Sequence, residues 1–575
     1  MRLKISRSKN SASFYVTKTV YIDKKEKTIT VEKLGTEAEL RERLNGQDPY
    51  EWAKKYIDEL NKKEKEQKRD VLVRYSQSEQ IKRDVQVSFN GGYLFLQQLY
   101  HQLGLHKTCK EISLRYKFTY NLDAILSRLI YGRVLFPSSK LNTFEESKKL
   151  LEQPAFQLQH VYRALEIIAK ETDVLQAELY KYSLSVSNRN NRILYYDCTN
   201  YFFEIEQASG IRQYGYSKEH KPNPIVQMGL FMDGDGIPLA FGIHSGNTNE
   251  QTTLRPLEEK ILKDFELSKF VVCTDAGLSS TNNRLFNSKK DRAFITTQSV
   301  KKLKKHLKEW ALNTKGWRLP GSETTYDIGM FEEDDKSCES YREETFYKER
   351  WLNEDGLQQR LVVTYSLKYQ DYQRQIRNRQ LERATRLVAK SPATINKKNQ
   401  NDFKRFISSA NITKDGEVAD KTLYGIDEDA IADEAQYDGF YAVCTNLEDD
   451  ALAITKINHR RWEIEECFRI MKSEFKARPV YLSRDDRIKA HFTTCFLALT
   501  LYRYLEKRLD EKFTSHDIIT GLKDMNFCSV PSEGYIPTYT RNDFTDALHQ
   551  AFGFRTDYQI VSNKMMKKNF RDTKK

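Results

Sequence analysis

Apolar and polar positions between residues 191 and 300 follow a pattern that predicts a sheet with helices packed on it. Five apolar runs of strand length lie in this region: Ile193–Tyr196, Ile225–Met232, Ile237–Ile243, Phe270–Thr274 and Ala293–Thr297. The second and third runs are joined by Asp233-Gly234-Asp235-Gly236, a hairpin turn signal. Residues 252–265 have a helical pattern. This order predicts an α/β core that begins with three antiparallel strands.

The first 190 residues have a different pattern. Residues 13–20 and 27–33 are β-branched and alternate loosely, with Asp23-Lys24-Lys25-Glu26 between them, which predicts a β-hairpin. Residues 49–70 are charged with helical spacing, and residues 92–185 read as mainly helical. Asn121 is a predicted cap of one helix, and Ser138 or Ser139 of the next.

Residues 300–445 interrupt the predicted core. They combine strand signals with a basic helix and a polar linker, in the order Thr324–Ile328, Arg360–Tyr365, Lys368–Lys390, Ser391–Asn401 and a final strand, Phe440–Thr445, that returns to the core. Two helices follow: one carries Glu465, and Arg487–Leu509 has the apolar face of a core helix. The tail, Lys564–Lys575, is basic and is predicted to be disordered.

Composition narrows the class of protein. The 575 residues exceed one typical core, so several domains are expected. The net charge of +13 suits a polyanionic partner such as nucleic acid, although many soluble proteins are basic without binding DNA. The longest apolar stretch, Ala490–Tyr504, contains Thr, His and Arg and is better interpreted as a core helix than as a membrane span.

The eight cysteines are dispersed and none forms a CxxC pair, so zinc-ribbon and thioredoxin interpretations lack support. Cys198 and Cys273 lie in or beside apolar strands and are expected to be small buried residues. A reducing compartment fits this cysteine usage, and the N-terminus has no apolar signal core. A cytoplasmic protein is therefore expected.

Three acids on three predicted elements carry the candidate chemistry. Asp197 and Asp275 end predicted strands, where the active-site residues of open α/β folds gather, and Glu465 lies on a helix. Mg²⁺ prefers carboxylate oxygens, and two ions can activate a nucleophile and stabilise a leaving oxygen. For either aspartate alone, a turn or a helix cap is the more common explanation.

The helix of Glu465 carries cations at helical spacing. Arg461, Glu465, Arg469 and Lys472 fall at i−4, i, i+4 and i+7 and are predicted to share one face. Arginine suits bidentate phosphate contacts and lysine a point charge. The alternative is an exposed helix with salt bridges worth only about 0.3–0.5 kcal/mol each.

These motifs resemble those of a known family. Asn458–Lys472 is similar to the signature Tyr-x2-Arg-x3-Glu-x6-Lys of DDE insertion-sequence transposases of the IS-four-like group, with Arg461, Trp462, Glu465 and Lys472 in place. The blocks around Asp197 and Asp275 resemble that group's first and second aspartates. Blocks between them resemble the subgroup with a large N-terminal region: Tyr214-Gly215-Tyr216-Ser217-Lys218, Gly236-Ile237-Pro238-Leu239 and Gly246-Asn247-Thr248.

The resemblance implies a fold and a division of the chain. The expected fold is α/β: a ribonuclease-H-like catalytic core interrupted by a β-rich insertion before the catalytic Glu, with a β-hairpin plus helical N-terminal region. The expected parts are a hairpin and charged helix (1–80), a helical DNA-end-binding part (81–190), the first part of the core (191–300), the insertion with its basic helix (301–439), the second part of the core (440–510) and a C-terminal region with a basic tail (511–575).

The resemblance also implies the site and its partners. Asp197, Asp275 and Glu465 would be catalytic and would hold two Mg²⁺ ions, with Mn²⁺ as a substitute, while Arg461, Lys472 and Arg469 would bind DNA. The partners would be double-stranded DNA, as transposon terminal inverted repeats and target, and a second copy in a synaptic complex. The protein would be prokaryotic and nucleoid-associated when bound to DNA.

Three features stay open in the sequence. Asn458 stands where the signature has Tyr, a position expected to help hold DNA phosphate. The implied insertion stacks a flipped base on an aromatic ring, for which Trp310, Trp317 and Trp351 are candidates, although core packing is the more common role of any one of them. The basic segments Lys301–Lys305 and Arg374–Arg379 suit either a DNA contact or a solvated helix face.

The leading hypothesis is a transposase that cuts the 3′ ends of an insertion sequence and joins them to target DNA. One alternative is a DNA-binding protein that keeps the fold without activity. Another is a ribonuclease-H-like nuclease without strand transfer. The presence of all three acids favours activity, and the insertion with the long N-terminal region favours the more elaborate reaction.

Overall fold

The computed structural model describes residues 1–8, 11–22, 25–44, 47–67, 76–331, 340–354, 356–390, 402–412 and 421–575. Part of the predicted hairpin turn, Asp23-Lys24, lies outside the described residues, as do Cys338 and the predicted linker Ser391–Asn401. The described chain divides into two compact units. The first comprises Met1–Val87, Cys528–Pro537 and Asp557–Met566, and the second Ser88–Phe527, Thr538–Thr556 and Lys567–Lys575.

The N-terminal segment confirms the predicted hairpin and adds a strand to it. Its elements are β1 (Arg2–Ser8), β2 (Ser11–Ile22), β3 (Lys25–Thr36), α1 (Glu37–Arg43) and α2 (Pro49–Gln67). The three strands form an antiparallel sheet in the order β1-β2-β3. Thr36 begins α1 with a capping box, in which its hydroxyl accepts from the Glu39 amide. Alternate strand residues and one face of each helix form a small core of Phe14, Val16, Leu34, Leu40, Ala53 and Ile57.

A mainly helical segment follows, as predicted. Its elements are β4 (Ser88–Asn90), α3 (Tyr93–Gln102), α4 (Leu105–Arg115), α5 (Leu122–Leu135), α6 (Lys140–Ser147), α7 (Leu158–Lys170) and α8 (Thr172–Val186). Both predicted caps are confirmed. The side chain of Asn121 accepts from the Ala124 amide at the start of α5, and Ser139 accepts from Asn142 at the start of α6.

Residues 191–300 form the strands and helices expected of them. They are β5 (Ile193–Phe202), β6 (Ile225–Asp233), β7 (Pro238–Ser245), α9 (Leu254–Asp264), β8 (Val271–Thr274), α10 (Thr281–Asn287) and β9 (Ala293–Thr297). β5, β6 and β7 are antiparallel neighbours, as predicted, and β8 and β9 run parallel to β5.

Residues 301–445 contain both strands and helices. They are α11 (Lys305–Leu312), β10 (Trp317–Arg318), β11 (Thr325–Tyr326), β12 (Phe346–Glu354), β13 (Leu357–Tyr365), α12 (Leu367–Lys390), β14 (Ile407–Ile412), β15 (Lys421–Ile426), α13 (Glu428–Ala435) and β16 (Phe440–Thr445). β16 pairs with β9 on one side and with β13 on the other. The strands β10 to β13 therefore extend the core sheet.

The resulting sheet has ten strands in the order β11-β10-β12-β13-β16-β9-β8-β5-β6-β7. β6, which lies between β5 and β7, is buried along its whole length. The carboxyl ends of β8, β9 and β13 lie at one edge of the sheet, together with the amino end of β16. This edge carries the candidate site and is called the catalytic edge below.

The remaining elements follow β16. They are α14 (Ala451–His459), α15 (Trp462–Arg469), α16 (Asp485–Arg508), α17 (Ser515–Asp524), β17 (Asn526–Val530), β18 (Gly534–Pro537), α18 (Asp543–Phe552), β19 (Val561–Ser562) and α19 (Asn563–Asp572). α16 is the predicted core helix and is buried from Ala490 to Glu506. The expectation of a disordered tail is wrong, because Asn563–Asp572 forms a helix whose Met566 is buried.

Several other sequence predictions can be compared with the fold. Cys198 and Cys273 are buried, as predicted. Among the described residues, no helix is both long and apolar enough to cross a bilayer. The basic segment 374–379 is not uniformly exposed, because Arg377 is buried in an ion pair with Asp438.

Candidate active site

The parallel pairing of β5 with β8 brings the two aspartates together. Tyr196 lies opposite Thr274, and Asp197 and Asp275 are the next residues along these strands. Neighbouring strands are about 4.8 Å apart, so the two aspartates lie side by side at the catalytic edge. The expectation that the first strand ends at Asp197 is wrong. β5 continues to Phe202 because β6 pairs with it throughout, and only the pairing with β8 stops.

Asp275 is available for chemistry because it does not cap the turn that follows. It begins a single 3₁₀ turn, Ala276–Leu278, but its side chain makes no capping hydrogen bond. Its carboxylate is half-exposed and accepts a hydrogen bond from Nη1 of Arg461 at 3.3 Å. The alternative that Asp275 is a helix cap therefore lacks the contact that defines a cap.

Asp197 lies in a more buried position, and burial raises the pKa of its carboxyl to about 6. The positive charges of Lys218 and Arg461 oppose this rise, whereas the negative charge of Asp275 adds to it. One oxygen of Asp197 accepts from the Cys198 amide at 2.7 Å. The environment therefore lacks the positive charge needed to offset the burial of this carboxylate.

Glu465 approaches the aspartates through Arg461. The two residues are one turn apart at the start of α15, and Nη2 of Arg461 lies 3.5 Å from Oε1 of Glu465. The same guanidinium contacts Asp275 through Nη1. One mostly buried arginine thus links the acid at the end of β8 to the acid on the helix, while the Glu465 side chain is 64% exposed.

A small hydrogen-bond network that the sequence does not reveal orients Arg461. The hydroxyl of Thr297, at the end of β9, accepts from Nη1 of Arg461 at 3.3 Å and from Nδ2 of Asn458 at 3.0 Å. Asn458 also donates to the hydroxyl of Tyr441 on β16, which lies 3.3 Å from that of Thr297. Asn458, which stands at the signature's Tyr position, is thus buried. Its side-chain amide contacts the hydroxyl of Tyr441 on β16.

Lys472 is separated from the acids by a change in helix type. After α15 the chain forms one π-helical turn, Ile470–Glu474, in which the Phe475 amide donates to the Ile470 carbonyl at 3.0 Å. Such a turn changes the angular spacing of the side chains that follow and is frequent at functional sites. The Lys472 ammonium lies 3.2 Å from Glu219 and 5.6 Å from the centre of the Tyr201 ring.

Arg469 makes its contacts away from the aspartates. It donates to Glu466, three residues earlier, and to the hydroxyl of Ser515 on α17 at 3.0 Å. This ion pair lowers the pKa of the Glu466 carboxyl. Glu466 is therefore engaged by Arg469, whereas Glu465 is engaged by Arg461.

Lys218 is a further cation beside the acids. It lies in the Tyr214–Lys218 block, donates to the carbonyl of Cys198, and is 3.3 Å from Glu250. Among the charges around Asp197, that of Lys218 has the largest effect in lowering the pKa of the Asp197 carboxyl. The sequence gives the block but no indication of its target, because Lys218 and Asp197 are 21 positions apart on different elements.

The tryptophans that are candidates for stacking on a base differ in how deeply they are buried. Trp317 is fully buried and is a core residue. Trp351 is 44% exposed and lines a cleft of about 370 Å³ together with Trp310. Trp462, beside Arg461 on the helix of Glu465, is 62% exposed. The ring of Trp462 is therefore accessible from solvent.

The acids have the donor chemistry of a divalent metal site. Among the described residues, no group of three or more acidic, histidine or cysteine side chains is arranged to hold a metal ion. The guanidinium of Arg461 contacts two of the three carboxylates in this arrangement. The carboxylates of Asp197, Asp275 and Glu465 nevertheless offer the hard oxygen atoms that such an ion prefers, and a bound cation would offset the burial that raises the pKa of Asp197. The residue types therefore fit such an ion by their donor chemistry.

Comparison with known proteins defines the class. The family model of the transposase DDE domain matches residues 202–501, which is more than half of the chain. The chain therefore belongs to the transposase DDE domain family. The matched range contains Asp275 and Glu465 and begins just after Asp197.

Two further comparisons add little. A search of curated protein sequences finds no match. Among solved structures, the chain is similar to the piggyBac transposase in a cryo-EM synaptic complex with hairpin DNA, with a TM-score of 0.36 and 8% identity over 85% of this chain and 86% of that one.

Proposed function

We propose that this protein is a DNA transposase that binds the terminal inverted repeats of an insertion sequence, cleaves their 3′ ends by two-metal hydrolysis and joins them to target DNA in a cut-and-paste reaction. One observation carries the proposal. Arg461 contacts the carboxylates of Asp275 at a strand end and Glu465 on a helix, and the pairing of β5 with β8 puts Asp197 beside Asp275, in a member of the transposase DDE domain family.

Asp197, Asp275 and Glu465 would hold two Mg²⁺ ions, for which Mn²⁺ is a substitute. Such ions, when bound, activate water or a 3′-hydroxyl and stabilise the leaving oxygen. The contribution of Asp197 depends on its ionised form, and Lys218 and Arg461 favour that form against burial. Glu465 is exposed and lies on a helix surface that DNA can reach.

Arg461 and Lys472 would position phosphates. Arg461 is held by Thr297 and by two acids, so its fork is oriented before DNA arrives. Lys472 would exchange its contact with Glu219 for a phosphate oxygen. Arg469 would likewise bind a phosphate only by leaving Glu466.

The proposed core is ribonuclease-H-like. Its support is the strand order: three antiparallel strands, β5 to β7, followed by β8 and β9 parallel to β5, with acids at the catalytic edge. The segment between Asp275 and Glu465 would be the implied insertion. Its strands β10 to β13 continue the same sheet, whereas among the described strands β14 and β15 pair only with each other.

The test is cleavage and joining with DNA that carries the inverted repeats adjoining the gene, in Mg²⁺. The wild type should release 3′ ends and transfer them to a plasmid, whereas Asp275→Asn and Glu465→Gln should bind these ends without cutting them. Glu466→Gln is the matched control, because Glu466 is paired with Arg469, and it should retain activity.

The results would also separate the alternatives. Binding without cleavage by the wild type would indicate a DNA-binding protein that has kept only the fold. Cleavage without joining would indicate a nuclease. Full activity of Glu465→Gln with loss in Glu466→Gln would assign the helix ligand to Glu466 instead.

A further inference from the structure

One face of α12 remains exposed along most of the helix. Residues spaced alternately by four and three positions fall on this face, which is called the outer stripe: Tyr372, Ile376, Arg379, Arg383, Arg386 and Lys390. Such spacing keeps side chains on one side of an α-helix. The stripe is aromatic and apolar where α12 begins and cationic along the rest of its length. Tyr372 is 59% exposed and Ile376 is 38% exposed.

The opposite face of α12 carries a buried ion pair between Arg377 and Asp438. Beside it, Arg405 of the 3₁₀ turn before β14 donates to Gln380 of α12 and pairs with Glu434 through two nitrogens. On the outer stripe, Arg386 approaches one acid, Glu382, at 3.4 Å in an exposed pair. Exposed pairs of this kind contribute about 0–1 kcal/mol, so the outer stripe keeps a net positive field.

A cleft lies between the outer stripe and the network that orients Arg461. It has a volume of about 490 Å³, and its walls are formed by the end of β9, the start of β16 and the first turns of α12. Thr297 and Tyr441, which belong to the network that orients Arg461, form one wall. Tyr372 and Ile376, the first two residues of the outer stripe, lie on the other.

The volume of the cleft suits a single strand of DNA and not a duplex. A volume of this order is typical of pockets for small ligands, about 300–1,000 Å³, and does not admit a duplex. Its tyrosines offer stacking surfaces, which unpaired bases use. From Tyr372 to Lys390 the helix rises about 27 Å, which matches roughly eight nucleotides at 3.4 Å each.

We propose that the outer stripe of α12 binds the DNA that flanks the transposon end before cleavage. The strand that leaves the scissile phosphate on the flank side crosses the cleft past Tyr372, and the duplex beyond it lies along Arg379, Arg383 and Arg386. A DNA strand that is being cut continues on both sides of its scissile phosphate, so the flank side also needs a binding surface. α12 begins at the catalytic edge, directly after β13, and can provide that surface. This inference rests on the proposed function.

The experiment measures binding without divalent metal, so that no DNA is cut. Two duplexes carry the inverted repeat that adjoins the gene; one stops at the repeat and the other continues with about 15 base pairs of flank, enough to cover the stripe. The triple variant Arg379→Gln, Arg383→Gln, Arg386→Gln should bind the flanked duplex more weakly. Its slope of log affinity against log salt should be lower by about 2.7, or 0.9 per lost phosphate contact. Binding to the pre-cleaved duplex should not change.

A matched control removes the same charge at the opposite edge of the sheet. Lys269 precedes β8, and Lys289 and Lys290 precede β9; all three are exposed. The triple variant Lys269→Gln, Lys289→Gln, Lys290→Gln should leave both duplexes unaffected. Equal losses on both duplexes in the α12 variant, or no loss on either, would overturn the assignment of the flank to α12.

A second variant tests the cleft. Tyr372→Ala should weaken binding of a flanked duplex whose first flank nucleotides are unpaired by roughly 5- to 150-fold, as expected for one lost stacking contact, and Tyr372→Phe should bind normally. Unchanged binding by Tyr372→Ala would show that the flanking DNA strand does not cross the cleft. A wild type that does not prefer the inverted repeat to a scrambled sequence would refute the proposed function itself, which is a different result from failure of the α12 variant alone.

Discussion

Nη1 of Arg461 lies 3.3 Å from Oδ1 of Asp275, although the two residues are 186 positions apart in the chain. The contact joins the start of a helix to the end of a strand. It makes Arg461 both a phosphate-binding candidate and a partial counter-charge for the acids. Its removal should therefore affect DNA binding and proton binding together.

Arg461→Gln should move the acid limb of the pH–rate profile for cleavage to higher pH. Arg461 lowers the pKa of Asp197, so the variant needs a higher pH to ionise that carboxyl. DNA-end affinity should also fall, with a salt slope lower by about 0.9. The measurement is single-turnover cleavage from pH 5 to pH 9, with salt titrations of binding. An acid limb that stays at its wild-type pH would show that Arg461 does not act on Asp197.

Asp197→Asn should stabilise the metal-free protein at neutral pH. The folded-state pKa of about 6 exceeds the ordinary value of 3.8, so the folded protein binds a proton that the unfolded chain releases between these pH values. The free energy of unfolding therefore falls as the pH rises through this window. The variant should be more stable above pH 6 by on the order of 1–3 kcal/mol, and the difference should vanish below about pH 4.

Urea denaturation at several pH values, with EDTA, measures this difference. The exposed Asp510→Asn is the control and should change little. Added Mg²⁺ should reduce the advantage of Asp197→Asn, because only the wild type gains the ion. A wild type that is the more stable protein at pH 7 without metal would contradict the prediction.

Thr297→Val should lower the cleavage rate roughly tenfold or more while DNA-end affinity changes little. The substitution keeps the shape but removes the hydroxyl that accepts from Arg461 and Asn458, and misplacement of a positioning group costs rate rather than binding. Thr297→Ser retains the hydroxyl and should restore the rate. Equal activity of the valine and serine variants would assign Thr297 a packing role only.

Lys472 and Glu219 should have opposite effects on DNA binding. Lys472→Gln removes a phosphate contact and should lower the salt slope by about 0.9. Glu219→Gln removes the carboxylate that holds Lys472 at 3.2 Å and should strengthen binding. Lys269→Gln, an exposed lysine paired with Asp291 at 3.7 Å, is the control. Weaker binding in Glu219→Gln would mean that this pair positions the lysine instead of competing with DNA.

The active assembly should contain two proteins and two DNA ends. Joining two ends to one target requires one active site per end, and a closed two-fold pair is the commonest way to provide it. Light scattering with end DNA should give the mass of a two-to-two complex, even where the free protein is a monomer. Strand transfer of both ends by a complex with a single protomer would refute this.

Local sequence was sufficient to predict many of the elements. The alternation in residues 13–33 predicted the hairpin, Asn121 and Ser139 are caps, and the position of Asp275 after an apolar run was correct. These features depend on side-chain period and capping, which neighbouring residues determine. The Arg461–Glu465 contact follows in the same way from one turn of helix.

Tertiary structure decided where these elements meet. β5 continues beyond Asp197 because β6 pairs with it, and the strands β10 to β13 extend the core sheet because β16 pairs with both β9 and β13. The side-chain period along a strand does not specify which strand will be its partner. The network of Asn458, Thr297 and Tyr441, and the burial that raises the pKa of Asp197, depend on contacts between residues far apart in the chain. The sequence by itself determined which residues carry the charge and the elements that hold them, whereas only the tertiary structure decided their neighbours, because pairing and desolvation are properties of the whole fold.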